Sequence, residues 1–140
     1  MDLLFDRTPT LKDHAVSLGL YSDFIFVAPI WASKIASPLK AFMVKEKQHI
    51  KRYSFISLCG GSKGQLERIK EQLLQILQRE PTTIKELWIN DLLVSERKNT
   101  IKYTSGYRVL PADLENFKEK IDEFVKVQSS QSNVRNYELR

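Results

Sequence analysis

The sequence predicts an α/β domain with a mainly parallel sheet. Apolar runs rich in β-branched and aromatic residues alternate along the chain with segments whose apolar residues recur at helical spacing. A strand without polar positions is typical of a sheet covered on both faces, as parallel sheets are. Because strand and helix alternate from end to end, we expect right-handed crossovers between parallel strands, with helices on both faces.

A short strand and a helix are expected before the first buried strand. Residues 3–5 are apolar, and Thr8-Pro9 combines a capping hydroxyl with a proline at the first helical position. Apolar residues at helical spacing over residues 11–18 predict the helix itself. The buried strand that follows covers residues 24–28 and ends at Pro29.

A second strand and two more helices are predicted next. Ser37-Pro38 repeats the helix-start signal, and residues 53–58 form an apolar strand that runs into Cys59-Gly60-Gly61. Ser62 and Gln65 have the spacing of a capping box, in which each side chain satisfies the other residue's backbone N–H. They precede a helix with one apolar side and one charged side.

The rest of the chain is less regular until its final helix. A third strand is expected over residues 84–89, and two short strands within residues 101–109 suggest a hairpin insertion. Apolar spacing predicts a helix that begins near Pro111. Residues 1–127 would then form one domain, and residues 128–140, which are polar and without clear periodicity, a mobile tail.

Composition and charge restrict the class of protein. At 140 residues the chain can bury a core, and no apolar run approaches the roughly 18 residues that span a bilayer. The single cysteine excludes an internal disulfide framework and a cysteine zinc cluster, so we expect a cytoplasmic protein without a membrane partner. Much of the net charge of +5 lies in residues 45–52, where only Tyr53 is a nearby aromatic, which argues against nucleic acid as a ligand.

Two loops are the candidate ligand site, because ligands of open α/β sheets bind beyond the carboxyl ends of the strands. Trp31 offers a flat indole face, and the glycines of the second loop allow close approach of backbone groups. The following helix N-terminus favours partial negative charge. The candidate residues are Pro29, Trp31, Ala32 and Ser33 in the first loop, and Cys59, Gly60, Gly61 and Ser62 in the second.

These segments resemble the flavodoxin and NAD(P)H-dependent flavin reductase superfamily. The likeness is carried by YSDFIFVAPIW at residues 21–31, PLKAF at residues 38–42 and FISLCGG at residues 55–61. It implies a flavodoxin-like three-layer sandwich that binds FMN. Trp31 would stack on the isoalloxazine ring, and backbone groups of the two loops would meet the polar rim of that ring.

The N-terminus departs from the family pattern. Family members begin with a strand, a Ser/Thr/Gly-rich phosphate loop and a helix, whereas only about twenty residues precede the matched strand here, without a glycine before Gly19. The domain therefore looks shortened. The hydroxyls of Thr8 and Thr10, beside Arg7, form either a substitute phosphate site at a helix start or an ordinary capped turn. A third possibility is that the phosphate loop is absent or supplied by a partner chain.

Other side chains offer weaker signals. Cys59 is expected to pack rather than react, since a lone cysteine at a strand end behaves as a small apolar group. His14 and His49 have no acid and nucleophile at motif spacing. Tyr103 and Tyr107 either line a substrate pocket or pack across strands. No nucleophile elbow, Walker loop or zinc-binding helix motif is present, so hydrolase, nucleotidase and metalloenzyme functions lack support.

Two functions follow from these observations. The first is an FMN-binding redox protein that transfers electrons or reduces a small acceptor with NAD(P)H, with a small molecule or a protein as redox partner. The pI of about 9.3 favours a reductase-like member over an acidic electron carrier. The second is a binding or assembly module that keeps the fold without flavin; its shortened sheet would expose a strand edge that a homodimer covers.

Overall fold

The computed structural model describes residues 9–61 and 64–138, with the backbone alone for residues 131–138. Four strands form one sheet in the order β2-β1-β3-β4. β1, β3 and β4 are parallel, and β2 pairs antiparallel with the end of β1. The predicted α/β class with a mainly parallel sheet is confirmed. The strands are β1 (Asp23–Trp31), β2 (Lys34–Ile35), β3 (Arg52–Cys59) and β4 (Ile84–Trp88).

Four α-helices accompany the sheet within the described residues. α1 (Ser37–Glu46) joins β2 to β3, and α2 (Leu66–Leu77) joins β3 to β4. α3 (Ile101–Ser105) is a single short turn after β4, and α4 (Leu114–Glu138) ends the described chain. Short 3-10 helices cover Leu18–Leu20, Ile89–Leu92, Ser95–Arg97 and Pro111–Asp113.

The main core lies between the sheet and the two helices α1 and α2. Phe24, Phe26, Ala28 and Ile30 alternate along β1 and point to this side, beside Tyr53 and Phe55 of β3. From α2, the apolar stripe Ile69, Leu73 and Leu77 recurs every four residues and is no more than 1% exposed. Burial of such side chains stabilises the fold by about 1.5–3 kcal/mol each.

The opposite face of the sheet is covered unequally. Phe117 and Phe124 of α4 are buried, and Gln128 donates a hydrogen bond to the hydroxyl of Ser54 in β3 (2.6 Å). By contrast, Ile25 and Val27 of β1 are 53% and 75% exposed on this face. α4 therefore covers β3 and β4 but leaves β1 bare on this side.

The helix predicted over residues 11–18 is wrong. The described part of this segment is irregular until the 3-10 helix Leu18–Leu20. Contacts with α1, and not local helical hydrogen bonds, position this segment. Asp13 accepts a hydrogen bond from Lys45 (2.7 Å), and the His14 imidazole lies 3.1 Å from the Glu46 carboxylate. The segment is held along α1 by these polar contacts.

The predicted hairpin over residues 101–109 is also wrong, because α3 occupies part of it. The hydroxyls of Thr104 and Ser105 donate to the backbone carbonyl of Ile101, and the Thr104 N–H donates to Thr100. These local bonds stabilise a helical turn. β-branched and aromatic content, which suggested strands, does not decide the conformation of so short a segment.

The tail expected at residues 128–140 is helical up to Glu138, since α4 continues through it. The Ser129 and Ser130 hydroxyls donate to the carbonyls four residues earlier. Gln128, the first residue of the expected tail, is anchored to the sheet by its bond to Ser54. α4 thus continues past the boundary predicted between residues 127 and 128.

We expect Glu46 to give the protein part of its acid sensitivity. The hydrogen bond from His14 is the main cause that holds the pKa of Glu46 below its ordinary value; His49 adds to it and burial opposes it. A lowered folded-state pKa means that the carboxylate stabilises the fold above its ordinary pKa, and that this stabilisation is lost as pH falls through the lowered value. Glu46→Gln should therefore lose less stability on acidification than the wild type.

Urea unfolding at pH 6 and at about pH 3.5 measures this difference. Glu71→Gln, an exposed position on α2, is the matched control and should keep the wild-type pH dependence. Equal losses of stability in the wild type and Glu46→Gln would contradict the assignment.

Candidate functional site

A cavity of about 1390 Å³ opens at the carboxyl ends of β1 and β3. Residues 29–33, from the end of β1 and its turn, form one wall, and residues 58–61, from the end of β3, form another. The parallel pairing of Ile30 with Cys59 places the two strand ends side by side. The structure therefore brings Pro29, Trp31, Ala32, Ser33, Cys59, Gly60 and Gly61 to one cavity.

The remaining candidates do not join this group. Thr8 and Ser62 lie outside the described residues. Thr10 is exposed and is not part of the cavity lining. Soon after it, Asp13 contacts Lys45 near the end of α1, whereas the cavity lies at the end of the sheet where α1 begins. Thr10 is thus not positioned as a phosphate ligand of this cavity.

The turn after β1 has a strained backbone. Trp31 pairs with Lys34, and the two residues between them have positive φ angles, 49° at Ala32 and 62° at Ser33. This is the geometry of a two-residue hairpin turn that normally takes Asn or Gly. The left-handed conformation costs a non-glycine residue about 1–2 kcal/mol. Such strain persists where the surroundings hold it, and it is frequent at ligand sites.

Gln72 of α2 holds this turn in place. Its side-chain amide donates to the carbonyl of Ser33 (2.7 Å), and its side-chain oxygen accepts the N–H of Ile35 (3.2 Å). One side chain thus binds the turn and the first core residue after it. The indole of Trp31, which is 51% exposed, is thereby held at the rim of the cavity.

The second loop is braced from two sides. A Cβ atom on Gly60 would lie 3.4 Å from the carbonyl oxygen of Thr104, so the absence of a side chain lets α3 approach closely. The carbonyl of Gly61 accepts a hydrogen bond from the indole N–H of Trp88 (2.5 Å). These contacts orient the loop between β4 and α3.

Glu86 of β4 occupies the N-terminus of α2. Its carboxylate accepts the N–H of Gln65 (2.7 Å), and Gln65 provides no side-chain cap of its own. A Cβ atom on Gly64 would lie 3.0 Å from the other carboxylate oxygen. The capping role predicted for Gln65 is therefore taken by Glu86. Its negative charge complements the helix dipole, and it repels a second anion at the same place.

Several lining residues were missed by the sequence reasoning. Arg68 and its neighbours in the first turn of α2, Ile89 after β4, and Ile101, Thr104 and Ser105 of α3 complete the wall. The rule that ligands bind beyond strand ends would have found Ile89, because it directly follows the third parallel strand. The α3 residues carry no such signal, because the sequence predicts a hairpin in their segment.

The two tyrosines considered for a substrate pocket have different positions. Tyr107 lines the cavity, and its hydroxyl lies 3.1 Å from both carboxylate oxygens of Asp113. Burial, together with this carboxylate, raises the pKa of Tyr107. Tyr103 does not line the cavity; the guanidinium of Arg97 lies 5.4 Å from its ring centre, in the range of a cation–π contact.

No protein-family model, curated protein or solved structure matches the chain. In the described ranges, no helix is long and apolar enough to cross a membrane. The same residues contain no group of three or more His, Cys, Asp or Glu side chains that could hold a metal ion.

Relief of the turn strain should be measurable. Ser33→Gly removes a left-handed non-glycine residue while the Ser33 carbonyl remains available to Gln72, so we expect the free energy of unfolding to rise by about 0.5–1 kcal/mol. Ser17→Gly is the matched control, since Ser17 has an ordinary φ of −80° and gains no relief. Its flexibility should lower stability by about 0.5 kcal/mol. Urea unfolding measures the free energy of unfolding of both variants. An equal decrease in both would show that the backbone at Ser33 is not strained.

Cys59 should react slowly with thiol reagents in the native protein. The residue is 1% exposed, burial raises the pKa of its thiol, and Glu86 adds to this rise while the N–H of Gly61 opposes it. Labelling at pH 8 should be at least about a hundredfold slower than in denaturant, because only the exposed thiolate reacts. A Cys59→Ser chain that carries Val94→Cys at an exposed position should label rapidly without denaturant. Equal native rates would show that Cys59 is accessible.

Proposed function

We propose that the protein is a flavodoxin-like flavin-binding redox protein whose cavity holds the isoalloxazine ring of FMN. The observation that carries the proposal is the meeting of two loops, some 26 residues apart in sequence, at one cavity beyond the strand ends. Both loops also resemble the flavin loops of one superfamily. The sheet order, with parallel β1, β3 and β4 and helices between them, agrees with a part of such a fold.

The residues of the cavity suit a planar aromatic ligand. The half-exposed indole of Trp31 supplies a stacking face, and its turn is held by Gln72. Ile89 and Ile101 supply apolar walls that exclude water from one side of a bound ring. When bound, the flavin itself would carry the electrons, so the protein needs only to bind and orient it.

The wider functional context remains part of the proposal. The open cavity suits a small acceptor reduced at the expense of NAD(P)H, or a protein that approaches the flavin edge as redox partner. We place this activity in the cytoplasm, with neither nucleic acid nor membrane as a partner. These assignments rest on composition and on the resemblance, and they require that the protein binds flavin.

Among the described residues, the phosphate group of FMN lacks an evident binding site at the cavity. This favours a second function. Among the described residues, the only long-helix N-terminus at the cavity is that of α2, and the Glu86 carboxylate already binds there. Thr10, the described part of the substitute phosphate site, is not part of the lining. The alternative is therefore a binding or assembly module that keeps the fold without holding flavin.

Titration with FMN and with riboflavin separates the two functions. If the ring provides the affinity, both flavins should bind with a shifted visible band and quenched fluorescence, and riboflavin should bind within about threefold of FMN, a difference of less than 1 kcal/mol. Trp31→Ala should weaken binding at least about tenfold, the loss of one stacking contact. Tyr21→Ala, an equally exposed aromatic outside the cavity, should leave the affinity unchanged.

Two results would overturn the flavin proposal. The first is the absence of binding for either flavin up to about 100 µM, weaker than about −5.5 kcal/mol, which would favour the assembly module. The second is binding that Trp31→Ala and Tyr21→Ala weaken equally. A strong preference for FMN over riboflavin would instead be consistent with the proposal, and it would require a phosphate site outside the cavity lining described above.

A further inference from the structure

The outer edge of β1 is the most exposed apolar feature of the sheet. β2 pairs with β1 only at Ile30 and Trp31, so no described strand lies beside the stretch from Asp23 to Pro29. On the bare face of the same stretch, Ile25 and Val27 are 53% and 75% exposed. A strand with an open edge and an apolar face is a template for pairing with another strand.

Backbone polar groups point out of this edge. Trp31 and Lys34 form the pair that closes the two-residue turn, so the N–H and C=O of Trp31 point towards β2. Backbone groups alternate in direction along a strand, and those of Val27 and Ile25 therefore point to the same side, where no described strand receives them. Pro29 has no N–H and ends the stretch that can pair.

Apart from Pro29 at its end, the edge lacks the features that normally protect a free strand. Between Asp23 and Lys34, ten consecutive residues carry no charge. The other outer strand, β4, is only five residues long, and it carries Lys85 and Glu86. Lys85 forms an ion pair with Glu123 of α4 (2.5 Å). Charges and short length are the usual protection against edge pairing, so β4 is protected and β1 is not.

The exposed apolar side chains next to β1 add to the surface that such pairing covers. Leu20 and Tyr21, directly before the strand, are 82% and 56% exposed. With Ile25 and Val27 they expose a few hundred Å² per chain, a substantial part of the roughly 800 Å² that each partner contributes to a standard interface. Monomeric proteins rarely leave apolar patches of this size uncovered.

We propose that the outer edge of β1 pairs with the same edge of a second copy of this chain. An antiparallel pair about a two-fold axis extends the sheet across both copies and joins their bare faces. Because the axis lies near Phe26, Ile25 of one copy lies opposite Val27 of the other, and the outward N–H and C=O groups of these two residues find partners. The inference is independent of the flavin proposal, since it uses the other side of the β1 strand end.

Sedimentation and light scattering of matched variants test this interface. The wild type should be dimeric at about 50 µM, and Val27→Lys should weaken self-association at least about a hundredfold, because each dimer would bury two unpaired charges. Val94→Lys makes the same substitution at a 60% exposed position away from the sheet and should remain dimeric. Val27 is 75% exposed, so its replacement leaves the core intact, which circular dichroism would verify. Val27→Glu should dissociate the dimer as well.

Amide hydrogen exchange provides a second readout. The Ile25 and Val27 amides should exchange slowly in the wild type and in Val94→Lys, and rapidly in Val27→Lys. A wild type that is monomeric at about 100 µM, or a Val27→Lys variant as dimeric as Val94→Lys, would overturn the proposal. A monomer in which these amides are protected would also overturn it, because another segment of the same chain would then cover the edge.

Discussion

The parallel pairing of β1 with β3 is the interaction on which the other features depend. It runs without interruption from Asp23 beside Arg52 to Ile30 beside Cys59. This register aligns the alternating side chains of both strands, so that Phe26 and Phe55 reach the same core under α1 and α2. It also ends both strands at the same level. The cavity is a consequence of that common end, because the two loops that leave the strands have no other strand between them.

α2 connects this cavity to the core. Its buried stripe packs on the sheet, and its polar residues reach the two ends of the site: Gln72 binds the turn after β1, and the Gln65 N–H binds Glu86. The strained backbone at Ala32 and Ser33 is compatible with a stable fold because the contacts of Gln72 hold it. The polar contacts that fix the site therefore come from side chains of a helix and a strand. Hydrophobic burial determines the positions of these two elements.

The unequal cover of the two faces separates the functions proposed for β1. One face supplies the core, and the end of the strand supplies the rim of the cavity. The other face and the outer edge remain available for association, because α4 lies over β3 and β4 and is tied to them by Lys85 and Ser54. Ligand binding and self-association would thus use different sides of one strand, and neither requires the other.

The strands near residues 24–28, 53–58 and 84–89, the helices between them and the start of α4 could be predicted from the sequence, since apolar runs and helical periodicity are local signals. The sequence also identified seven lining residues, because strand ends mark the ligand edge of a parallel sheet. Four features could not be predicted in this way: the irregular segment before Leu18, the short helix α3, the extension of α4 and the cap by Glu86. Each of these depends on a short segment or on a partner distant in sequence, such as Glu46 for His14 or Ser54 for Gln128. The exposure of Ile25 and Val27 belongs to the same group: a run of apolar residues shows that a strand can be buried on both faces, but only the positions of the helices decide whether it is.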